Sequence, residues 1–164
     1  MNRINAVLVF LLINSFILNI SAQDIDGFTS ASPCYYKLEP YDTLSAILKR
    51  SEEAHVLSSV NPDGTCNAAY MQPNVLPDSV ILFYIDKKAQ TYQNIERTQK
   101  AFFSFYERTM HGKTWKDRYR GARLELMQIT DTTVIQNICK EQEIEISEEY
   151  GMLFMRVHRI IPLS

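Results

Sequence analysis

No familiar catalytic signature runs through this chain. Its three histidines, His55, His111 and His158, stand on separate segments, and neither Gly-x-Ser-x-Gly nor His-Glu-x-x-His occurs. Cysteine and histidine are never spaced like metal ligands, so no metal site is expected. Glu52-Glu53 and Glu148-Glu149 are adjacent pairs whose side chains diverge, poor geometry for two-carboxylate glycoside cleavage. Cys139 and His158 have no third residue signalled to orient them as a thiol pair. These absences predict a protein that is not an enzyme and carries neither metal nor cofactor.

Surplus positive charge is missing too. Lys and Arg number 17 against 19 acids, a net charge of −2, and a nucleic-acid partner would want a strongly basic face. Nucleic acid is therefore excluded as an expected partner. One long apolar run exists, Ala6 to Leu18, broken only by Asn14 and Ser15, preceded by Arg3 and followed by Ser21-Ala22. That order is the pattern of a cleavable signal peptide over residues 1–22. A membrane-spanning helix needs about 20 mostly apolar residues, and Asn14, Ser15 and Asn19 weaken this one. No cysteine follows the run immediately, which argues against a lipoprotein. The expectation is an exported protein, secreted or resident in the periplasm or cell envelope. Residues 23–33 are polar and read as a linker.

What is present begins with Tyr36-Lys37-Leu38-Glu39-Pro40-Tyr41-Asp42-Thr43-Leu44-Ser45-Ala46-Ile47. Asp42 or Thr43 can cap a helix whose inward stripe is Leu44, Ile47 and Leu48. Ser51-Glu52-Glu53 offers a second helical start carrying Ala54, Val56 and Leu57. Asn61-Pro62-Asp63-Gly64 is a strong turn signal, and Thr65 to Asn74 reads as an inserted loop. Val75-Leu76-Pro77-Asp78-Ser79-Val80-Ile81-Leu82-Phe83 leads into a strand over Val80 to Ile85, apolar enough to be buried on both faces.

Residues 34–86 in this order resemble the LysM module, whose strand enters a Gly-Asp-Thr-Leu-x-x-Ile helix start and returns through Ile-x-Pro-Gly-x-x-Leu-x-Ile. The resemblance implies a strand-helix-helix-strand fold and binding of an N-acetylglucosamine glycan such as peptidoglycan or chitin. Matched position by position, it places the sugar groove between Pro40, Tyr41, Asp42 and Thr43 on one side and Leu76, Pro77 and Asp78 on the other. Tyr41 and Asp78 stand where that family has glycine, which supplies backbone room and positive φ. Aspartate tolerates the left-handed conformation better than most residues. Tyr41 is a ring that either stacks on sugar or obstructs the groove. The alternative is an envelope or secreted interaction protein in which this segment is only a scaffold that has lost glycan binding and the stretch from Lys113 to Arg123 meets an envelope protein partner. Export permits a disulfide, and three cysteines leave one over. Cys34–Cys66 would staple the first half of the LysM-like segment, worth about 3–4 kcal/mol in the chain-entropy account. Three reduced, buried cysteines are the alternative.

Downstream, Tyr92, Ile95, Phe102, Tyr106 and Met110 recur at helical spacing and predict an amphipathic helix over 87–112, ended by Gly112. Residues 113–164 form a second small α+β region. It contains a strand from Arg123 to Ile129, a helix capped at Thr130-Asp131-Thr132, a bend into a short helix over Ile144 to Tyr150, and a last strand from Met152 to Ile161. The fold class expected is α+β throughout. Lys113, Trp115, Lys116, Arg118, Tyr119, Arg120 and Arg123 make a basic, aromatic stretch suited to an anionic partner, or to a solvated loop anchored by Trp115 and Tyr119.

Overall fold

The computed structural model describes residues 40–50, 55–108 and 119–162. Helix α1 (Tyr41–Arg50) leads into strands β1 (Val56–Val60), β2 (Cys66–Tyr70), β3 (Asn74–Leu76) and β4 (Val80–Ile85). Helix α2 (Gln90–Thr98), β5 (Lys100–Arg108), β6 (Tyr119–Gln128), α3 (Thr132–Glu141) and β7 (Gly151–Pro162) follow. The seven strands form one sheet, ordered β2-β1-β5-β6-β7-β4-β3, with every neighbouring pair antiparallel.

That order obliges the sheet to curl. β2 and β3 are its two edges, yet only Met71, Gln72 and Pro73 join them. A flat seven-stranded sheet would hold its edges about 29 Å apart at the usual strand spacing. The chain from Tyr70 to Asn74 reaches at most about 15 Å. The strands therefore roll into a half-barrel, and the concave side becomes the core. Leu57, Ile81, Phe83, Phe103, Phe105, Leu124, Leu126, Leu153 and Met155 point inward and are essentially fully buried. Helix α1 supplies Leu44, Ile47 and Leu48 to the same core. These are the three residues its sequence stripe predicted.

A smaller apolar layer lies on the opposite face of β4 and β7. Val80, Leu82, Phe154 and Cys139 are buried there, with Ile135 and Ile138 of α3 packed over them. This explains why β4 is apolar on both faces: alternate residues serve the barrel core and the layer beneath α3. Asp131 caps α3, its carboxylate accepting from the N–H groups of Thr133 and Val134 at 2.8 and 3.4 Å.

The LysM-like strand-helix-helix-strand segment does not form, and the α+β expectation is corrected to a mainly antiparallel sheet with three short helices. Val56 and Leu57 belong to strand β1, not to a second helix, and residues 51–54 lie outside the described residues. The expected loop Thr65 to Asn74 contains β2, paired along its whole length with β1. The turn between them is as read: Gly64 takes φ 84°, a conformation only glycine adopts without strain. The long helix over 87–112 is two elements. Gln99 turns left-handed (φ 56°), its N–H closes on Ile95 O at 2.7 Å, and the chain continues as β5. Ala101, Phe103 and Phe105 then alternate inward with exposed Phe102 and Tyr106 outside, a period of two. Ile144 to Tyr150 is irregular and forms no helix.

Candidate functional site

Three features could engage another molecule. The first is the start of α2. Its N-cap, Ala89, has no side chain to accept from the first helical amides, and the first turn holds no acid. Those amides form the positive end of the helix dipole. Lys87 and Lys88 precede them, both exposed; Lys87 Nζ donates to Glu148 O at 3.1 Å. Asp86 Oδ1 accepts from Lys88 N at 2.8 Å, just ahead of the helix.

Behind this end lies a closed polar network between α2 and the β1–β2 hairpin. Asn94 is 1% exposed, so each of its polar atoms needs a partner. Its Nδ2 donates to Ser59 Oγ at 3.2 Å and Asn61 Oδ1 at 2.8 Å, while its Oδ1 accepts from Gln90 Nε2 at 2.9 Å. Asn67 Nδ2 donates to Ser59 Oγ and to Thr91 Oγ1, at 3.2 and 2.8 Å. Arg97 donates to Val60 O from the same helix. These bonds tie α2 to the β1–β2 hairpin and hold it in place.

The second feature is a cavity of about 160 Å³ between the β3–β4 turn, α3 and β7. Leu76, Val80, Val134 and Ile138 make its apolar floor, and Asp78, Glu141 and Arg156 stand at its rim. A shallower cavity of about 390 Å³ lies on the far side of β3, between Leu48, Lys49, Pro73 and Ile144. The third is the convex face of the sheet, where Val60, Tyr70, Phe102 and Tyr106 are exposed. Glu125 and Arg159 pair across that face at 3.0 Å.

The residues singled out in the sequence fall in several places. Pro40 precedes α1, and Tyr41, Asp42 and Thr43 form its first turn. The helix begins two residues earlier than a cap at Asp42 would allow, with Leu44 N bonding to Pro40 O at 3.1 Å. Tyr41 is half-buried, and burial, then the charge of Asp42, pushes its hydroxyl pKa up. Leu76 ends β3, while Pro77 and Asp78 enter the turn. Asp78 does adopt the left-handed conformation (φ 55°), followed by Ser79 (φ 58°). These three residues line the smaller cavity, opposite α3 instead of opposite the start of α1.

Cys66 is an exposed thiol on an edge strand, while Cys34, its expected disulfide partner, lies outside the described residues. Lys113, Trp115, Lys116 and Arg118 also lie outside them, and nothing is described of the Tyr119 side chain. Arg120 and Arg123 are half-buried positions of β6. Among the described residues no group of three or more His, Cys, Asp or Glu could hold a metal ion. No described helix is long and apolar enough to cross a membrane. The polar network and the cavity under α3 were both missed. Asn61, Asn67 and Asn94 read as surface residues in a sequence, and the cavity needs three distant segments brought together.

No protein-family model matches the chain, and no curated protein matches it by sequence. Solved structures do match. An FMN-binding protein from Syntrophomonas wolfei is 18% identical, with a TM-score of 0.51 over 75% of this chain and 85% of that one. A conserved hypothetical protein from Mycobacterium tuberculosis is 16% identical, with a TM-score of 0.55 over 79% and 86%. A proposed 5-nitroimidazole antibiotic resistance protein from Bacteroides thetaiotaomicron is 9% identical, with a TM-score of 0.54 over 75% and 82%. These likenesses overturn the LysM resemblance and, with it, the glycan-binding envelope protein and its peptidoglycan partner. Pro40–Thr43 and Leu76–Asp78 do not form a LysM groove, because the strands around them belong to one curled antiparallel sheet. The chain shares with these solved structures the fold of a curled antiparallel half-barrel.

Proposed function

We propose that this chain binds a flavin of the FMN type. The observation that supports the reading is its likeness to the Syntrophomonas FMN-binding protein across most of both chains. FMN carries a phosphate, and the start of α2 has the donor chemistry for one: uncapped first-turn amides at Gln90, Thr91 and Tyr92, with exposed Lys88 beside them. Lys87 adds a second positive charge even while it holds Glu148 O. Bound flavin supplies hydride or electron transfer. The chain's own part is to bind and orient it, and no acid, base or nucleophile of the protein is assigned to a reaction. Residues 1–22 keep their reading as an export signal, so the proposal is of an exported cofactor-binding protein.

The test is titration of the purified full chain with FMN and with riboflavin, read by quenching of flavin fluorescence. FMN is expected to bind about tenfold tighter or better, a preference of about 1.4 kcal/mol. Lys88→Glu should remove that preference and leave riboflavin binding unchanged. Absence of FMN binding, or equal affinity for the two flavins, would sink the reading.

A further inference from the structure

The cavity between α3 and the β3–β4 turn carries charges of both signs that do not neutralise one another. Arg156 sits on β7 directly across from Val80 of β4. Val157 N donates to Ser79 O at 2.9 Å, so the turn bearing Asp78 is fixed to the strand bearing Arg156. Glu141 reaches the same opening from the last turn of α3. Among the described residues neither carboxylate lies within ion-pair distance of Arg156. The fold thus brings a guanidinium and two carboxylates to one opening and holds them apart.

Below that rim the lining is aliphatic: Leu76, Val80, Val134 and Ile138. The volume of about 160 Å³ is close to that of an apolar cavity known to admit a six-carbon ring. The turn places one of these charges. Asp78 and Ser79, with φ of 55° and 58°, are the central residues of the tight β3–β4 hairpin turn, which Val80 N closes on Pro77 O at 3.2 Å. The turn sets Asp78 at the lip.

We propose that this cavity binds a free α-amino acid with a branched aliphatic side chain. The ligand's carboxylate faces Arg156, its ammonium faces Asp78 and Glu141, and its side chain fills the apolar floor. A zwitterion answers both signs at once, which neither a fatty acid nor an alkylamine does. The carboxamides of Asn137 and Gln142 on the same rim complete the polar ring around it. This site is separate from the start of α2 and does not depend on flavin binding.

The experiment measures binding of L-leucine to the full chain by calorimetry and by thermal shift, beside 4-methylpentanoate, which lacks the ammonium, and isopentylamine, which lacks the carboxylate. Leucine is expected to raise the melting temperature at about 10 mM, and each analogue to bind about tenfold more weakly or worse. Asp78→Asn keeps a residue that tolerates left-handed backbone, so the turn survives while the charge goes. That variant and Glu141→Gln should each weaken leucine several-fold and leave 4-methylpentanoate unaffected. Arg156→Gln should do the reverse, sparing isopentylamine. If folded wild-type protein ignores leucine, or binds both analogues as well as leucine, the proposal is wrong and the cavity is only an apolar dent with a solvated rim.

Discussion

The ring of Tyr92 occupies the space beside Gly151 where a side chain would otherwise stand. A β-carbon built on that glycine would come within 2.1 Å of Tyr92 Cε2. Tyr92 projects from α2, and Gly151 opens β7 opposite Ile85, so the contact locks the helix onto the seam of the barrel. Gly151→Ala should cost about 1–3 kcal/mol through overpacking. For a chain of this size each kcal/mol lowers Tm by about 2–4 °C. Tyr92→Leu in the same background should recover part of the loss, and additive losses in the double variant would refute the contact as its cause.

Asn94 makes a second test of how α2 is held. Asn94→Leu keeps roughly the same volume and deprives Ser59, Asn61 and Gln90 of their shared partner. We expect destabilisation of about 1–3 kcal/mol, the cost of leaving buried polar groups unmet. Denaturant unfolding would show it as a lower midpoint with an unchanged slope. A neutral result would mean that water replaces the amide without loss.

Asp131 should be worth about 1 kcal/mol as the cap of α3. Asp131→Asn should cost less than Asp131→Ala, because the amide oxygen can still accept from the backbone of Thr133. Equal losses, measured by chemical denaturation, would point to charge instead of capping.

The two described thiols should behave differently. Cys66 is exposed, whereas burial pushes the Cys139 thiol pKa above its ordinary value. A thiol reagent at mildly alkaline pH should label Cys66 first and Cys139 only slowly. The sign for stability follows from the same shift. Above the unfolded pKa the folded state keeps the proton that the unfolded chain has lost, so stability falls as pH rises toward the folded value. Below the unfolded pKa the contribution is fully present. Cys139→Val should flatten that alkaline decline, and an unchanged slope would assign it to Tyr41 and Tyr92, which are shifted the same way.

Export makes its own prediction. Cleavage after Ala22 gives a mature amino terminus at Gln23, and intact mass of the secreted protein would read it directly. Recovery of only the full-length chain would count against a signal peptide.

Local signals in this sequence proved legible and the architecture did not. Leu44, Ile47 and Leu48 announced the buried face of α1, Asn61 to Gly64 announced a turn, and Asp131 announced a cap. Each depends on neighbours a few residues away. The error over 87–112 came from Gln99, which ends α2 in a left-handed conformation without the glycine or proline that would mark it. Phe102 and Tyr106 then mimic helical spacing, although they lie on the convex face of β5. In β2, small residues and an inward Asn67 disguised a strand as a loop. Asp78 was read correctly as a left-handed position but assigned to the wrong surroundings, since only the pairing of β4 with β7 shows what stands across from it.

The place of β7 in the sheet has a consequence for how the protein is made. It lies between β6 and β4, so among the described strands it is the one that pairs the β2-β1-β5-β6 half with the β4-β3 half. It is also the last of the seven strands to leave the ribosome. Until it does, β6 and β4 each present an open edge and the apolar floor of the barrel lacks Leu153 and Met155. Hairpins β1–β2 and β3–β4 can form early because their partners are close in the chain. Closure must wait until β7 has been made, and a nascent chain stalled before Gly151 would be a substrate for chaperones rather than a folded domain.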